Sequence, residues 1–362
     1  MISMDIKNQY NPDYVSPPGG TLEEVLNERG MTQAELAMRT GRKVKTINQI
    51  IKGKAPITPE TALRLERVLS ISAGFWNNRE KNYREYLARM EEQERLKHGI
   101  EWVRKFPYKK MVKFGFVETR EEMVQKVQEM LDYFGIASPE QYPEIKERAV
   151  AFRKSTAFKS DPDALVAWLR KGEIDARRIR TSPFDKKKFR GVLEEIRSLT
   201  SLPPNKFVPE MKELCASCGV VVAFTPQLPK ARVCGATRWL TPKKALIQLS
   251  LRYKTNDFFW FAFFHEAGHI LLHGKRERFI DEIDYQGEKE DEADRFASNF
   301  LIPSKEYSSL LARREYKSKM GVIKLARKIG VAPGIVVGRL QHDKYIPRNH
   351  MNGLKEKYEW NL

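Results

Sequence analysis

Between residues 21 and 70, apolar residues recur at helical spacing in four short segments that are separated by turns. A capping box of Thr32 and Glu35 begins the second segment, Gly41 ends it, and Thr58 with the following proline begins the fourth. The apolar positions of the four segments are Leu22, Val25 and Leu26; Leu36 and Ala37; Ile47, Ile50 and Ile51; and Ala62, Leu63, Leu65, Val68 and Leu69. This order predicts an all-α helix-turn-helix bundle.

The pattern of polar and apolar residues stays helical from residue 71 to residue 200 and contains no catalytic motif. Residues 71–95 predict one long, highly charged helix, which completes an N-terminal domain over 1–95. Residues 96–200 predict a helical connector, in which a second capping box of Thr119 and Glu122 begins one helix. A helical middle region therefore separates the N-terminal domain from the rest of the chain.

Patterns typical of β-strands appear only after the Pro-rich turn that begins at Leu202. The runs 219–224, 232–239 and 245–251 predict a small sheet. Two helices over 256–273 and 288–301 follow, and then a basic helical tail. The chain as a whole is thus expected to be a multidomain α+β protein, with one domain over 201–310 and the tail over 311–362.

Length and charge support more than one domain and a polyanionic partner. The chain has 362 residues and a formal net charge of +18. Single cores stop growing at roughly 250–300 residues, so two or more domains are expected. Residues 151–200 hold 13 basic and 7 acidic side chains, and residues 301–362 hold 13 and 5. The net charge favours nucleic acid as a partner. The basic residues of 151–200 are compatible both with phosphate contact and with a solvated connector.

Cysteine content and hydropathy favour a cytoplasmic protein without a membrane partner. The three cysteines, Cys215, Cys218 and Cys234, are too few for a disulfide framework, and the N-terminus lacks a signal-peptide pattern. No uninterrupted apolar run approaches the roughly 20 residues that span a bilayer. Cys215 and Cys218 have the spacing of zinc ligands, but no second pair completes a site, so buried thiols are the favoured interpretation.

A cluster of histidines lies in the first of the two C-terminal helices. His265 and His269 are four residues apart, so they share one helix face about 6 Å apart along the axis and can both bind one Zn²⁺. Glu266 then flanks the site and is suited to take a proton from an attacking water. His273 lies about 12 Å along the axis from His265, too far to share its ion. A last-turn histidine near the helix C-terminus is its favoured role over substrate contact.

The third ligand is expected from the second helix, over 288–301. The apolar face of that helix is defined by Ala293, Phe296, Ala297, Phe300 and Leu301. Glu290 falls roughly 50° from the centre of this face and Glu292 roughly 110° from it. A carboxylate that faces a core needs a partner or a metal, so Glu290 is the predicted ligand and Glu292 a solvated charge. Asp294 is placed to accept a hydrogen bond from the other nitrogen of a ligating imidazole.

These motifs resemble those of the ImmA/IrrE family of metallopeptidases. The resemblance covers roughly residues 205–310 and rests on His265, Glu266 and His269, then Glu290, Ala293, Asp294, Phe296 and Ala297, and finally Pro303. It implies a gluzincin-like metallopeptidase domain with a small sheet and two active-site helices. It also implies a substrate strand added beside that sheet and, as in several members, cleavage of a repressor.

The third N-terminal helix and its flanking turns carry only positive charge. The stretch 41–54 holds five basic residues and no acidic one. Its order of residues, together with Thr32 and Glu35, resembles XRE/Cro-type helix-turn-helix proteins, and specifically HigA-like antitoxins, over about 20–75. Family members usually bind operators as dimers, which makes a homodimer a candidate state. The predicted contacts to phosphates and base edges of operator DNA are Gln33, Arg42, Lys43, Lys45, Thr46, Asn48, Gln49, Lys52 and Lys54.

Two functions are compatible with these features. The first is a zinc endopeptidase with a DNA-binding domain, which regulates transcription or a toxin–antitoxin or phage-type system by cleaving a repressor or antitoxin. The second is a HigA-like regulator or antitoxin that does not cleave and whose metallopeptidase domain senses or binds a protein partner, such as a toxin. Retention of His265, Glu266, His269 and Glu290 favours the enzyme.

Overall fold

The computed structural model describes residues 15–150, 161–274, 279–282 and 287–359. The chain divides into two compact units, Met1–His98 and Gly99–Leu362. In these described ranges the first unit is all-α, and the second combines helices with one mixed sheet, so the protein is a multidomain α+β protein as expected. Within the described ranges, no helix is both long enough and apolar enough to cross a membrane.

The first unit is the expected helix-turn-helix bundle. Its helices are α1 (Pro18–Glu28), α2 (Gln33–Thr40), α3 (Val44–Ile51), α4 (Pro59–Leu69) and α5 (Ala73–His98). The Thr32 hydroxyl accepts a hydrogen bond from the backbone N–H of Glu35 at 3.1 Å, which caps α2 as the sequence indicated. Gly41, at a φ of 63°, then ends the helix.

The core of this unit contains most of the predicted apolar positions. Leu22, Leu36, Ile47 and Leu65 are fully buried. Leu63 is an exception, because its side chain points away from the core and is 51% exposed. Helix α1 begins four residues before Leu22 and packs tightly on α3: a Cβ on Gly19 would lie 2.0 Å from the carbonyl oxygen of Ile50.

The second unit begins with helices, seven of them α-helices in its described residues, and continues with a mixed sheet. The helices before the sheet are α6 (Ile100–Val103), α7 (Tyr108–Lys113), α8 (Met123–Phe134), α9 (Tyr142–Val150), α10 (Pro162–Arg178), α11 (Lys186–Ser198) and α12 (Pro204–Ala216). The remaining elements are β1 (Val220–Phe224), β2 (Val233–Thr241), β3 (Lys244–Leu249), α13 (Asn256–Leu272), β4 (Phe279–Glu282), α14 (Glu288–Leu301), α15 (Ser304–Ala312), α16 (Lys319–Ile329) and α17 (Pro333–His342).

The four strands form one sheet in the order β1-β3-β2-β4. Strand β3 is parallel to β1 and antiparallel to β2, and β4 pairs antiparallel with the other edge of β2, where Asp281 lies opposite Gly235. The three predicted strands are all present. Strand β4 was missed because its four residues lie between the two predicted helices, and only pairing with β2 makes them a strand.

The sheet is buried on both faces, in part by helices that lie outside the predicted domain over 201–310. Val221 and Leu246 pack with Ala176 of α10 on one face, while Val222 and Ile247 belong to the main core on the other. Helix α10 therefore covers the sheet, although the sequence placed residues 96–200 in a connector. The charged surface positions of this helix gave no sign that its other face packs on a sheet, because the strands that it covers are distant in the sequence.

The main core also continues through both predicted boundaries of the sheet-containing domain. Leu193 and Ile196 of α11 lie in this core before residue 201, and Val336 and Leu340 of α17 lie in it after residue 310. The basic tail is thus part of the core-forming structure. The predicted capping box at Thr119 is also wrong: α8 begins at Met123, with Glu122 at the N-cap, and no side-chain cap bond forms there.

Candidate metal centre and nucleic-acid interface

Helix α13 carries the histidine motif through the centre of the second unit. Its 17 residues are apolar on nearly every side, because it packs against strands β2 and β3 and helices α14 and α17. His265, Glu266 and His269 are 3%, 0% and 1% exposed. Buried polar groups of this kind require partners, and the adjacent helix α14 supplies them.

Three ligand atoms converge between α13 and α14. Nε2 of His265 lies 3.0 Å from Nε2 of His269 and 3.0 Å from Oε2 of Glu290. Nε2 of His269 lies 3.3 Å from the same carboxylate oxygen. Among the described residues, these three form the only group of His, Cys, Asp or Glu side chains able to hold a metal ion.

Close approach of the two helices makes this convergence possible. A Cβ on Gly268 would lie 3.3 Å from the Cα of Ala293 and 3.1 Å from a ring carbon of Phe296. The backbones of α13 and α14 therefore meet where both residues are small. Because Glu290 lies one turn before Ala293, its carboxylate reaches the two imidazoles, as the apolar face of the helix indicated.

The donor set suits zinc. Two imidazole nitrogens and one carboxylate oxygen are the protein ligands of a catalytic zinc of the two-histidine, one-glutamate type, which leaves a fourth position open. For bonds of about 2.0–2.1 Å in tetrahedral geometry, ligand atoms lie about 3.3 Å apart. The three observed separations of 3.0–3.3 Å are close to this value.

The charge states of the cluster also suit a cation. Burial lowers the pKa of His269 to about 4, so its imidazole is neutral at pH 7. Burial by itself would raise the pKa of Glu290, but contacts with the imidazoles of His265 and His269 bring it down to about 2. Neutral imidazoles beside an ionised carboxylate are the protonation states in which these groups bind a metal.

Strand β2 contacts the helix at Glu266. The hydroxyl of Thr237 donates a hydrogen bond to the backbone carbonyl of Glu266 at 3.1 Å. The Glu266 side chain lies against Gly235, where an added Cβ would be 2.5 Å from Oε1. The absence of a side chain at position 235 thus leaves room for the buried carboxylate. This relationship was not predicted, and the only indication of it in the sequence is the glycine within a strand.

Residues around the ligands occupy places that the sequence anticipated only in part. Oδ1 of Asp294 lies 2.8 Å from Nδ1 of His265, the contact expected of it. His273 directly follows α13, and its Nδ1 lies 2.9 Å from Nδ1 of His269. Glu292, interpreted from the sequence as a solvated charge, contacts Nε2 of His273 at 3.1 Å. The missed indication was the spacing of four residues between His269 and His273, which places both on one face.

Cys215 and Cys218 are part of the hydrophobic core. Cys215 and Cys218 are fully buried, and the Cys218 thiol donates to the carbonyl oxygen of Cys215 at 3.1 Å. Burial raises the pKa of Cys218 to about 11 and raises that of Cys215 as well. Both are therefore protonated thiols, as the sequence favoured.

The candidate DNA contacts lie on α2, on α3 and in the turns around α3. They differ in how exposed their side chains are and in the partners that they contact. Lys43, Lys45, Lys52 and Lys54 are exposed, and Thr46 and Gln49 are partly buried. The Asn48 amide donates to the Gln33 side-chain oxygen at 3.2 Å, which joins α3 to the start of α2.

Arg42 differs from the other basic residues of this surface. Its guanidinium pairs with Glu60 at 2.8 Å and donates to the Thr61 hydroxyl at 3.1 Å, so it holds the turn before α3 against α4. The hydrogen bond from Arg42 is also the main reason that the pKa of Glu60 is lowered. Arg42 is thus engaged within the bundle, in addition to the phosphate contact predicted for it.

Family comparisons agree with this division of the chain. Residues 22–76 match the helix-turn-helix family, and residues 230–341 match the peptidase M78 family, described as the IrrE N-terminal-like domain. The second match extends into α17, in agreement with the core that continues past residue 310. The chain is therefore similar to a helix-turn-helix family in its N-terminal part and to a peptidase family in its C-terminal part.

Three similar solved structures each cover less than a third of this chain. The antitoxin HigA of Pseudomonas aeruginosa with the higBA promoter is 29% identical over 24% of this chain and 94% of its own, with a TM-score of 0.23. A second Pseudomonas aeruginosa protein, in complex with its operator DNA, is 32% identical over 21% and 82%, with a TM-score of 0.20. A HigA-family antidote protein from Coxiella burnetii is 26% identical over 30% and 98%, with a TM-score of 0.20. No curated protein matches the chain.

Proposed function

We propose that this protein is a zinc-dependent endopeptidase that is coupled to a DNA-binding domain and regulates gene expression by cleaving a repressor or antitoxin. The observation that carries the proposal is the convergence of His265, His269 and Glu290 within 3.3 Å of one another, with Glu266 buried on the same helix. This arrangement in a domain of a peptidase family favours hydrolysis over a purely structural metal, which would take a fourth protein ligand.

In the proposed reaction, the protein residues hold the metal and move one proton. When bound by the three ligands, zinc would supply a Lewis acid that polarises the carbonyl of the peptide bond. Glu266 takes the proton of the attacking water and delivers it to the leaving amine. Gly235 leaves space for the Glu266 carboxylate, and Thr237 fixes the helix backbone at the same residue. Asp294 orients His265 through Nδ1.

The N-terminal unit is proposed to bring this activity to DNA. Exposed lysines on α3 and the turns beside it would contact phosphates, while Thr46, Asn48 and Gln49 are placed on the helix that reads base edges in such domains. A regulator that binds the same operator is a suitable substrate, because binding to the same DNA would bring it close to the peptidase domain.

A cleavage assay with matched variants tests the proposal. Full-length protein, with its zinc content measured, is incubated with regulators and antitoxins encoded beside its gene, and products are identified by mass spectrometry. Glu266→Gln should retain zinc and lose cleavage by about 10²–10⁴-fold, because it removes only the proton-transfer group. His269→Ala should lose zinc and cleavage together. Glu356→Gln, the same change at an exposed position, is the control.

The outcome separates the two candidate functions. Cleavage that is unaffected by Glu266→Gln would exclude the proposed mechanism. Tight binding of an uncleaved regulator or toxin by the zinc-loaded protein would favour the non-proteolytic regulator.

A further inference from the structure

Three side chains, each in contact with the next, connect the surface of α14 to the metal cluster. Oε2 of Glu292 lies 3.1 Å from Nε2 of His273, and Nδ1 of His273 lies 2.9 Å from Nδ1 of His269. Nε2 of His269 is one of the three converging ligand atoms. This series of contacts begins at a carboxylate that is 43% exposed and ends at an imidazole whose side chain is 0% exposed.

With a metal ion bound at Nε2 of His269, hydrogen-bond chemistry would give these contacts one direction. A carboxylate accepts only, so the proton between Glu292 and His273 belongs to Nε2 of His273. In a neutral imidazole the other nitrogen is then an acceptor, which leaves Nδ1 of His273 to accept from Nδ1–H of His269. The remaining nitrogen of His269, Nε2, would then offer its lone pair to the ion, and it lies 3.0 Å from Nε2 of His265 and 3.3 Å from Oε2 of Glu290.

We infer that His273 and Glu292 are positioning residues of the metal centre, which hold His269 in the tautomer and ring orientation that present Nε2 to the ion. This inference rests on the metal-binding part of the proposed function. The imidazole of His273 thus accepts a hydrogen bond from Nδ1 of His269, as the carboxylate of Asp294 does from Nδ1 of His265. Because neutral imidazole is a weaker acceptor than carboxylate, the charge of Glu292 behind His273 strengthens the acceptor.

Zinc affinity in the full-length protein tests the chain of contacts. Competition with a zinc-binding dye gives the affinity of wild type, His273→Phe, Glu292→Gln and the double variant. His273→Phe removes the acceptor and should weaken zinc binding by about 10–100-fold, the range typical of lost contacts to a metal-bound histidine. Glu292→Gln should weaken it less. The double variant should bind zinc as His273→Phe does, because Glu292 acts through His273.

A matched control separates positioning from general charge. Asp291→Asn removes the same charge from the neighbouring exposed position of α14 and should leave zinc affinity unchanged. Wild-type affinity in His273→Phe would overturn the inference. So would an effect of Glu292→Gln that persists in the His273→Phe background, because the effect would then be a long-range one of charge. Thermal unfolding of each metal-free variant checks that the fold is retained.

Two measurements distinguish failure of this inference from failure of the proposed function. Proton–nitrogen NMR spectra of ¹⁵N-histidine-labelled, zinc-loaded protein report the Nδ1–H of His269, which should exchange slowly with solvent in wild type and faster in His273→Phe. Equal exchange rates in two proteins of equal zinc affinity would overturn the inference and leave the metal centre in place. A wild-type protein that binds no zinc would overturn the proposed metal centre and this inference with it.

Discussion

Gly235 of β2 lies directly against the side chain of Glu266 of α13, so that a methyl group on Gly235 would be 2.5 Å from Oε1 and 2.9 Å from Cγ of the glutamate. A separation under 3 Å is a steric overlap, so the larger side chain and the carboxylate cannot both keep their places. The absence of a side chain at position 235 therefore allows the proposed proton-transfer group, Glu266, to lie where it does.

Replacement of Gly235 by alanine should separate metal binding from catalysis. Displacement of Glu266 by the new methyl group is expected to lower the rate of peptide cleavage by about 100-fold, the cost of a displacement near 1 Å at a catalytic group. Zinc content should stay at the wild-type level, because the three atoms nearest to the added methyl group all belong to Glu266 and none to a ligand. Gly191→Ala is the control, since a Cβ there meets no atom within 4 Å. Full activity in Gly235→Ala would contradict the role given to Glu266.

Loss of two polar side chains from α3 should weaken DNA recognition. Lys45→Ala with Gln49→Ala is expected to lower the affinity for a duplex selected by the wild-type protein by about 10-fold or more, at about 1–3 kcal/mol per base contact. The slope of log affinity against log salt should become shallower by about 1, because one phosphate contact is lost. Fluorescence anisotropy across a salt series measures both. Lys81→Ala with Gln93→Ala makes the same changes on α5, and equal losses in the two variants would place the DNA contacts elsewhere.

A buried ion pair at the start of α13 should contribute strongly to the stability of the second unit. Nζ of Lys355 lies 2.6 Å from Oδ2 of Asp257 and 2.7 Å from Oε1 of Gln341, and the two charged side chains are 9% and 7% exposed. Lys355→Met leaves the Asp257 carboxylate without its cation, at a cost of about 3–5 kcal/mol.

Calorimetry gives the measurement for this ion pair. The unfolding transition of the second unit should move down by about 6 °C or more in Lys355→Met. Lys357→Met, an exposed substitution two residues away, should leave it within about 1 °C. A Lys355→Met protein as stable as wild type would mean that Asp257 has found another partner or a proton.

Much of both functional surfaces was predictable from local periodicity. The spacing of His265 and His269, and the orientation of Glu290 relative to Ala293 and Phe296, depend only on the 3.6-residue turn of a helix. Helix periodicity alone did not predict the contacts that His273 and Glu292 make between helices. His273 directly follows α13 and is not one of the three converging ligands, yet it reaches His269. Glu292 points away from the apolar face of α14, yet it reaches His273.

The boundaries of the sheet-containing unit were less predictable, for a related reason. Residues 162–178 are a charged amphipathic helix whether they join two domains or cover a sheet, and only the opposing residues Val221 and Leu246 decide between these roles. Strand β4 is a further example, because four residues become a strand only through pairing with β2.

By itself, then, the sequence determined the helix-turn-helix bundle, the strands β1, β2 and β3, and the identity of the three candidate ligands, because each depends on side chains a few residues apart along the chain. The tertiary structure alone decided that Gly235 makes room for Glu266, that Glu292 and His273 support His269, and that the C-terminal helices complete the core. These relationships join residues from separate elements, and their distances depend on how helices and strands pack and not on spacing along the chain.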